Sequence, residues 1–283
     1  MLDSTRRRRR EDKPHRLRRG VYLLPSLFTI ANLFCGYACV VYATRSDFDT
    51  AALFIGVAMI LDTLDGFFAR LTNSSSAFGV ELDSLADVVS FGMAPAILAF
   101  TWGLWPLHRL GWAAGFLFVA AAAMRLARFN VQSATTTASA DKRYFVGMPS
   151  PAAASVIAAT VFWYPYGLHV RETALPALAM VLVPAFLMVS TMRFRSVKAI
   201  DLGLRRSPLR ILFLAAAVLA AVASHPRLAL VVLSYGYVVA ALGGWVYGRL
   251  RRRRLPPQDG DAAVTARPVE SDPAVTPPPA AGL

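Results

Sequence analysis

The sequence predicts an all-α, polytopic integral membrane protein with about eight transmembrane helices, and three observations carry the prediction. Hydrophobic residues make up 56% of the 283 residues and mean hydropathy is +0.47, more apolar than a water-covered surface allows. Eight apolar stretches are long enough, or nearly so, to span a bilayer, since about 20 helical residues cover the ~30 Å hydrocarbon core. With both termini placed in the cytoplasm, the basic residues obey the positive-inside rule throughout.

Residues 1–20 hold the run Arg6 to Arg10 and read as a basic cytoplasmic anchor that also meets anionic lipid. They are not a signal peptide, because the apolar stretch that follows is too long and lacks a small-residue cleavage site. That first stretch, 21–43, carries Cys35 and Cys39 at helical spacing. Two thiols without His or further Cys do not make a zinc site and read as packing residues. The second stretch, 51–70, carries Asp62 and Asp65 and ends on Arg70, and the third, 84–104, opens beside Asp83 and Asp87. The fourth, 110–129, closes on Arg125 and Arg128. The fifth, 149–165, follows M-P-S-P at 148–151, a helix start with Pro in its first turn. The sixth and seventh, 175–192 and 209–224, are short like the fifth, and the eighth, 226–247, leads into a basic juxtamembrane run. Residues 21–248 thus form one membrane domain, and 249–283 form the basic run and a Pro- and Ala-rich disordered cytoplasmic tail.

The net charge of +13 would by itself admit a nucleic-acid partner. Of the 30 Lys and Arg, however, only Arg45, Arg109, Arg171 and Arg227 fall on external connectors. Topology therefore accounts for the charge, including the six basic residues from Arg193 to Arg210, and no nucleic acid is implied.

Asp62, Asp65, Asp83 and Asp87, with Glu81 just before the second pair, are the acidic residues in or against apolar spans. A charged Asp at a helix centre costs roughly 2.5–3.5 kcal/mol on insertion scales, so four together call for compensation. The pairs are three and four residues apart, so each projects from one helix face. The connector between their helices is short and cytoplasmic, which brings all four carboxylates into an intramembrane site facing the cytoplasm. Hard divalent cations, Mg²⁺ or Mn²⁺, relieve the mutual repulsion, and four carboxylates suit two such ions acting on a diphosphate. Gly66, Ala69 and Gly79 are small enough to admit a nucleotide or the facing helix, and Arg70 is placed to meet phosphate. A cation transporter or proton relay would use the same carboxylates. The four His fall in the N-terminal tail and on external connectors and offer no rival catalyst.

Written out, Asp62-x2-Asp65-Gly66-x2-Ala69-Arg70-x8-Gly79-x3-Asp83-x3-Asp87 resembles, at every position, the motif of the CDP-alcohol phosphotransferase family of membrane enzymes. P-S-L-F-T-I-A-N-L-F-C-G at 25–36, the run at 74–96, R-L-A-R-F-N at 125–130 and Y-F-V-G-M-P-S-P at 144–151 are similar to its bacterial phosphatidylserine-synthase branch. The resemblance covers about residues 20–200. It implies transfer of a phosphatidyl group from CDP-diacylglycerol to the hydroxyl of L-serine, with release of CMP. It makes Asp62, Asp65, Asp83 and Asp87 the ligands of two Mg²⁺ or Mn²⁺ ions, with Asp87 also the general base. Asp62, Gly66, Arg70, Ser76, Thr29 and Asn32 would then contact the CDP moiety. It further implies a homodimer in the bacterial inner membrane, surrounded by lipid. The absence of any His-x-Lys pair speaks against the unrelated phospholipase-D-like type of synthase. Sibling enzymes that use glycerol phosphate, inositol phosphate or choline share the motif. Serine carries a carboxylate that needs a cation out of water, which points to Arg125 and Arg128, with Asn130 following. The same two arginines also fit a plain boundary role at the membrane face.

Overall fold

A computed structural model describes residues 23–72, 77–135, 144–190, 193–195 and 223–254, with 216 and 220. The basic segment 1–20, the tail 255–283, Ser76 and nearly all of the stretch 209–224 lie outside the described residues. The helices are α1 (Leu23–Thr44), α2 (Phe48–Thr72), α3 (Ala77–Asp87), α4 (Ala94–Ala99), α5 (Arg109–Thr135), α6 (Ser150–Trp163), α7 (Arg171–Val189) and α8 (Pro226–Arg254). Two compact units divide the chain after Trp245; the first contains the candidate site, and the described part of the second is the end of α8.

Among the described residues, five helical segments are long and apolar enough to cross a membrane: Leu27–Thr44, Phe48–Leu71, Phe78–Leu107, Arg109–Gln132 and Arg171–Val189. Ser150–Trp163 and Pro226–Ala240 are shorter apolar helices, and these seven lie where seven of the eight apolar stretches stand in the sequence. The helices overrun the apolar windows where their ends are polar. The third begins at Ala77 rather than 84, so Glu81 and Asp83 lie on the same helix as Asp87. Hydropathy marks where a chain prefers lipid, whereas backbone hydrogen bonding carries a helix on past that point.

Side chains are sorted as a bilayer requires. Small residues such as Ala38, Cys39, Ala51, Ala58, Ala122 and Ala154 are buried between helices, which lets the backbones approach closely. Large apolar side chains including Phe34, Phe67, Trp112, Phe116 and Phe186 face outward, where lipid is their natural solvent. Cys35 and Cys39 are buried free thiols, as packing residues should be.

The segment from Ala77 to Leu107 is one helical rod with two wide turns. Val88–Met93 and Phe100–Leu104 are π-helical, and a 3₁₀ turn, Trp105–Leu107, closes it. Ala94 N–H donates to Val89 O and Trp105 N–H to Phe100 O, both five residues back. Pro95, which has no N–H to continue the ordinary ladder, follows the first wide turn directly. That turn begins at the residue after Asp87. Two three-residue strands, β1 (Tyr144–Val146) and β2 (Arg193–Arg195), pair antiparallel with Phe145 opposite Phe194.

Candidate active site

The carboxylates of Asp62 on α2 and of Asp83 and Asp87 on α3 gather so that one oxygen of each lies within 4.8 Å of the others. Helical spacing puts Asp83 and Asp87 one above the other, and α2 brings Asp62 across to meet them. Each is only partly buried. Three oxygen donors at this spacing suit a hard divalent cation. One oxygen of Asp87, Oδ1, is buried with no hydrogen-bond partner among the described residues, an orphan that a cation or substrate would satisfy. On these observations the residues fit a metal.

Asp65 is not among the three oxygens within 4.8 Å, although it is an electrostatic neighbour of Asp62 and Asp83. It is buried, and Thr29 on α1 donates its hydroxyl to Asp65 Oδ2. Phe28 stacks on Phe68 one residue away, with ring centroids 5.3 Å apart, so α1 and α2 are joined at the level of the site. Asn32, one helical turn along α1, is fully buried and faces Asp87 without a hydrogen bond of good geometry to any described residue. Its backbone carbonyl is held by Ser90 Oγ at 2.9 Å, a donor from the wide turn of the rod. Thr29 and Asn32 thus border the carboxylates.

Gly66 is exposed, and the nearest atom a Cβ there would meet is Arg70 Nη2 at 3.9 Å, so the face beside Asp65 is open. Arg70 is also exposed and folds back on its own helix, with Nε donating to Gly66 O at 2.6 Å. Ala69 and Gly79 are half-buried on the two facing helices.

Arg125 comes to the site from α5 and is an electrostatic neighbour of Asp87. Its Nη1 donates to the buried hydroxyl of Ser150 at 2.9 Å, while its Nε is buried without a partner among the described residues. Arg128 is exposed and makes no described contact with the site. Asn130 Nδ2 donates to Ser84 Oγ at 2.9 Å, tying α5 to α3 next to Asp83. Sequence reasoning gave no role to Ser90 or Ser150. Both lie within the stretches that carry the family likeness, 74–96 and 144–151, but only the fold shows that they are buried and what they hold.

Residues 22–192 match the model of the CDP-alcohol phosphatidyltransferase family. The chain is 36% identical over 228 residues to the CDP-diacylglycerol–serine O-phosphatidyltransferase of Helicobacter pylori, covering 80% of this chain and 92% of that protein. The protein of the same name from Bacillus subtilis is 34% identical over 141 residues, covering 50% of this chain and 76% of that one. That from Mycobacterium tuberculosis is 39% identical over 142 residues, covering 48% and 49%.

Proposed function

The chain belongs to the CDP-alcohol phosphatidyltransferase family, and from that premise we propose that it transfers a phosphatidyl group from CDP-diacylglycerol to the hydroxyl of L-serine. The observation that carries the reading is the gathering of Asp62, Asp83 and Asp87 from two helices within 4.8 Å, in the complete spaced motif.

Asp62, Asp83 and Asp87 would hold one Mg²⁺ or Mn²⁺, and Asp65 the second through the oxygen that Thr29 leaves free. When bound, the ions neutralise the diphosphate and the charge that builds on its leaving oxygen. The protein's own groups supply position and proton transfer. The open backbone at Gly66 admits the diphosphate, and Arg70, by leaving the Gly66 carbonyl, pairs with it. Asn32 fixes the wall beside Asp87. Asp87 takes the proton of the serine hydroxyl as that oxygen bonds to the phosphatidyl phosphorus. The anhydride P–O bond breaks, and its electron pair leaves with CMP. The site opens to the cytoplasm in a bacterial inner membrane with both termini on that side, a placement supported by the basic connectors. Homodimerisation is part of the same reading by family likeness.

Purified protein with Mg²⁺ or Mn²⁺ and CDP-diacylglycerol would be offered serine, glycerol 3-phosphate, inositol phosphate and choline, with CMP measured. Serine-dependent release is the expected result; release only with another alcohol overturns the serine assignment. In the same assay Arg125→Ala is expected to raise the KM for serine about tenfold or more, the loss of one charge-assisted hydrogen bond. The KM for CDP-diacylglycerol should stay within about twofold, and Arg128→Ala, on the exposed face, should leave both nearly unchanged. Equal changes in the two KM values after Arg125→Ala would return Arg125 to a boundary role.

A further inference from the structure

We propose that Ser150 is a positioning residue for acceptor recognition: by accepting from Nη1 of Arg125, it leaves the Nε–Nη2 edge of that guanidinium as a two-donor fork for the carboxylate of the acceptor alcohol. The inference deepens the serine reading and rests on it.

The level of Arg125 in the site follows from how α5 lies against the rod Ala77–Leu107. The two run antiparallel, and three contacts fix their register. At the turn between them, a Cβ on Gly111 would collide with Leu104 O. Farther along, a Cβ on Gly92 would lie 3.2 Å from the Cβ of Ala122. Near the other end, Asn130 Nδ2 donates to Ser84 Oγ at 2.9 Å. Ala122 to Asn130 and Gly92 to Ser84 are both intervals of eight residues, so the register holds between them. Arg125 then stands level with Val89, two residues or about 3 Å of rise from Asp87. Asp87 follows Ser84, and Arg125 follows Ala122, by three residues, so each lies on the face its helix turns to the other.

Ser150 reaches Arg125 from a segment that is itself held. Gly147 has a φ of 85°, and a Cβ there would collide with Met188 O at the end of α7. Met148 N–H donates to Leu187 O at 3.0 Å, and Pro149 O accepts from Ala153 N–H at 3.0 Å as α6 begins. Ser150, the first residue of α6, is completely buried, and its Oγ accepts from Arg125 Nη1 at 2.9 Å. That bond occupies one corner of the guanidinium. Nε is buried without a partner, and Nη2 makes no hydrogen bond, among the described residues. Nε and Nη2 share one edge of the planar fork, whose two parallel N–H bonds match the two oxygens of a carboxylate. Asp87 Oδ1, buried and likewise unpaired, waits within a turn of it for a proton. Leaving a buried donor and a buried acceptor unmatched is costly, so the space suits a molecule that carries both a carboxylate and a hydroxyl. A neutral hydroxyl as the anchor holds the guanidinium without cancelling its charge. An acidic anchor would compete with the substrate carboxylate.

The test uses the full-length protein, with CMP release measured against serine and against CDP-diacylglycerol. Ser150→Ala is expected to raise the KM for serine about fivefold, with the KM for CDP-diacylglycerol and the melting temperature near wild type. Ser150→Cys, close in size but a weak acceptor, is expected to shift the serine KM in the same direction and serves where the alanine variant does not fold. In an Arg125→Ala background, Ser150→Ala is expected to change the serine KM less than about twofold, because no guanidinium is left to position. Arg125→Lys, which keeps the charge but loses the fork, is expected to raise the serine KM about as much as Arg125→Ala. A wild type that releases no CMP with serine overturns the serine reading itself. A wild type that uses serine, with the Ser150 variants within twofold of its serine KM, overturns the role of Ser150 alone. An effect of Ser150→Ala that persists undiminished beside Arg125→Ala, or an equal rise in both KM values, assigns Ser150 to packing and likewise overturns it. An Arg125→Lys protein within twofold of the wild-type serine KM overturns the fork.

Discussion

Asp87→Asn is expected to lower CMP release by about 10³-fold or more while CDP-diacylglycerol binds within about threefold of wild type. The substitution keeps the size of the side chain and its contact with Asn32, but removes both a proton acceptor and a negative charge. Of the four site carboxylates, Asp87 has a buried oxygen without a hydrogen-bond partner among the described residues, and Arg125 is its electrostatic neighbour. Those features suit a group that meets the acceptor hydroxyl, whereas Asp65, engaged by Thr29, suits a supporting ligand. A general base alone contributes about 10²–10⁴-fold, and the weakened cation site adds to the loss. Turnover and equilibrium binding of the lipid nucleotide, measured on one preparation, separate chemistry from recognition. A variant that keeps a tenth of wild-type turnover removes Asp87 as the base. The same substitution carries a stability signature. Three carboxylates within 4.8 Å repel one another when no cation is bound. In chelator, therefore, Asp87→Asn should melt above wild type, as often happens when a functional site gives up its strain.

The sequence made the aspartates legible because charge in an apolar background is conspicuous and helical spacing assigns each pair to a face. It did not show that Asp65 departs from the other three, although Thr29 and Asp65 were both already candidates. Their pairing depends on how α1 lies along α2, a tertiary fact over 36 residues. The helix ends were misplaced where charged residues prolong a helix, most plainly at Ala77–Ser84. The wide turn after Asp87 left only the hint of Pro95.

The second large effect is expected far from any carboxylate, at Gly36. A Cβ there would lie 2.6 Å from Ser90 Oγ and 2.9 Å from Ser90 Cα, both closer than atoms tolerate. The first clash is with a hydroxyl that is itself committed to Asn32 O, and the second is with backbone, so no rotamer change relieves both. Gly36→Ala must therefore push α1 away from the wide turn that follows Asp87. Overpacking of this kind costs about 1–3 kcal/mol, which a membrane-embedded helix pair can survive. The catalytic cost should be greater, because Asn32 rides on α1 and Asp87 on the rod. A displacement of about 1 Å between positioning groups lowers turnover roughly 10²-fold. Gly36→Ala is accordingly expected to yield a folded protein that melts a few degrees lower and turns over about 10²-fold more slowly, with retained turnover above half of wild type counting against the account. Ser90→Ala in the same chain removes the hydroxyl contact but not the one at Cα. The double variant should recover only part of the loss, whereas full recovery would mean that the side-chain hydroxyl alone, and not the backbone approach, sets the spacing of α1 from Asp87.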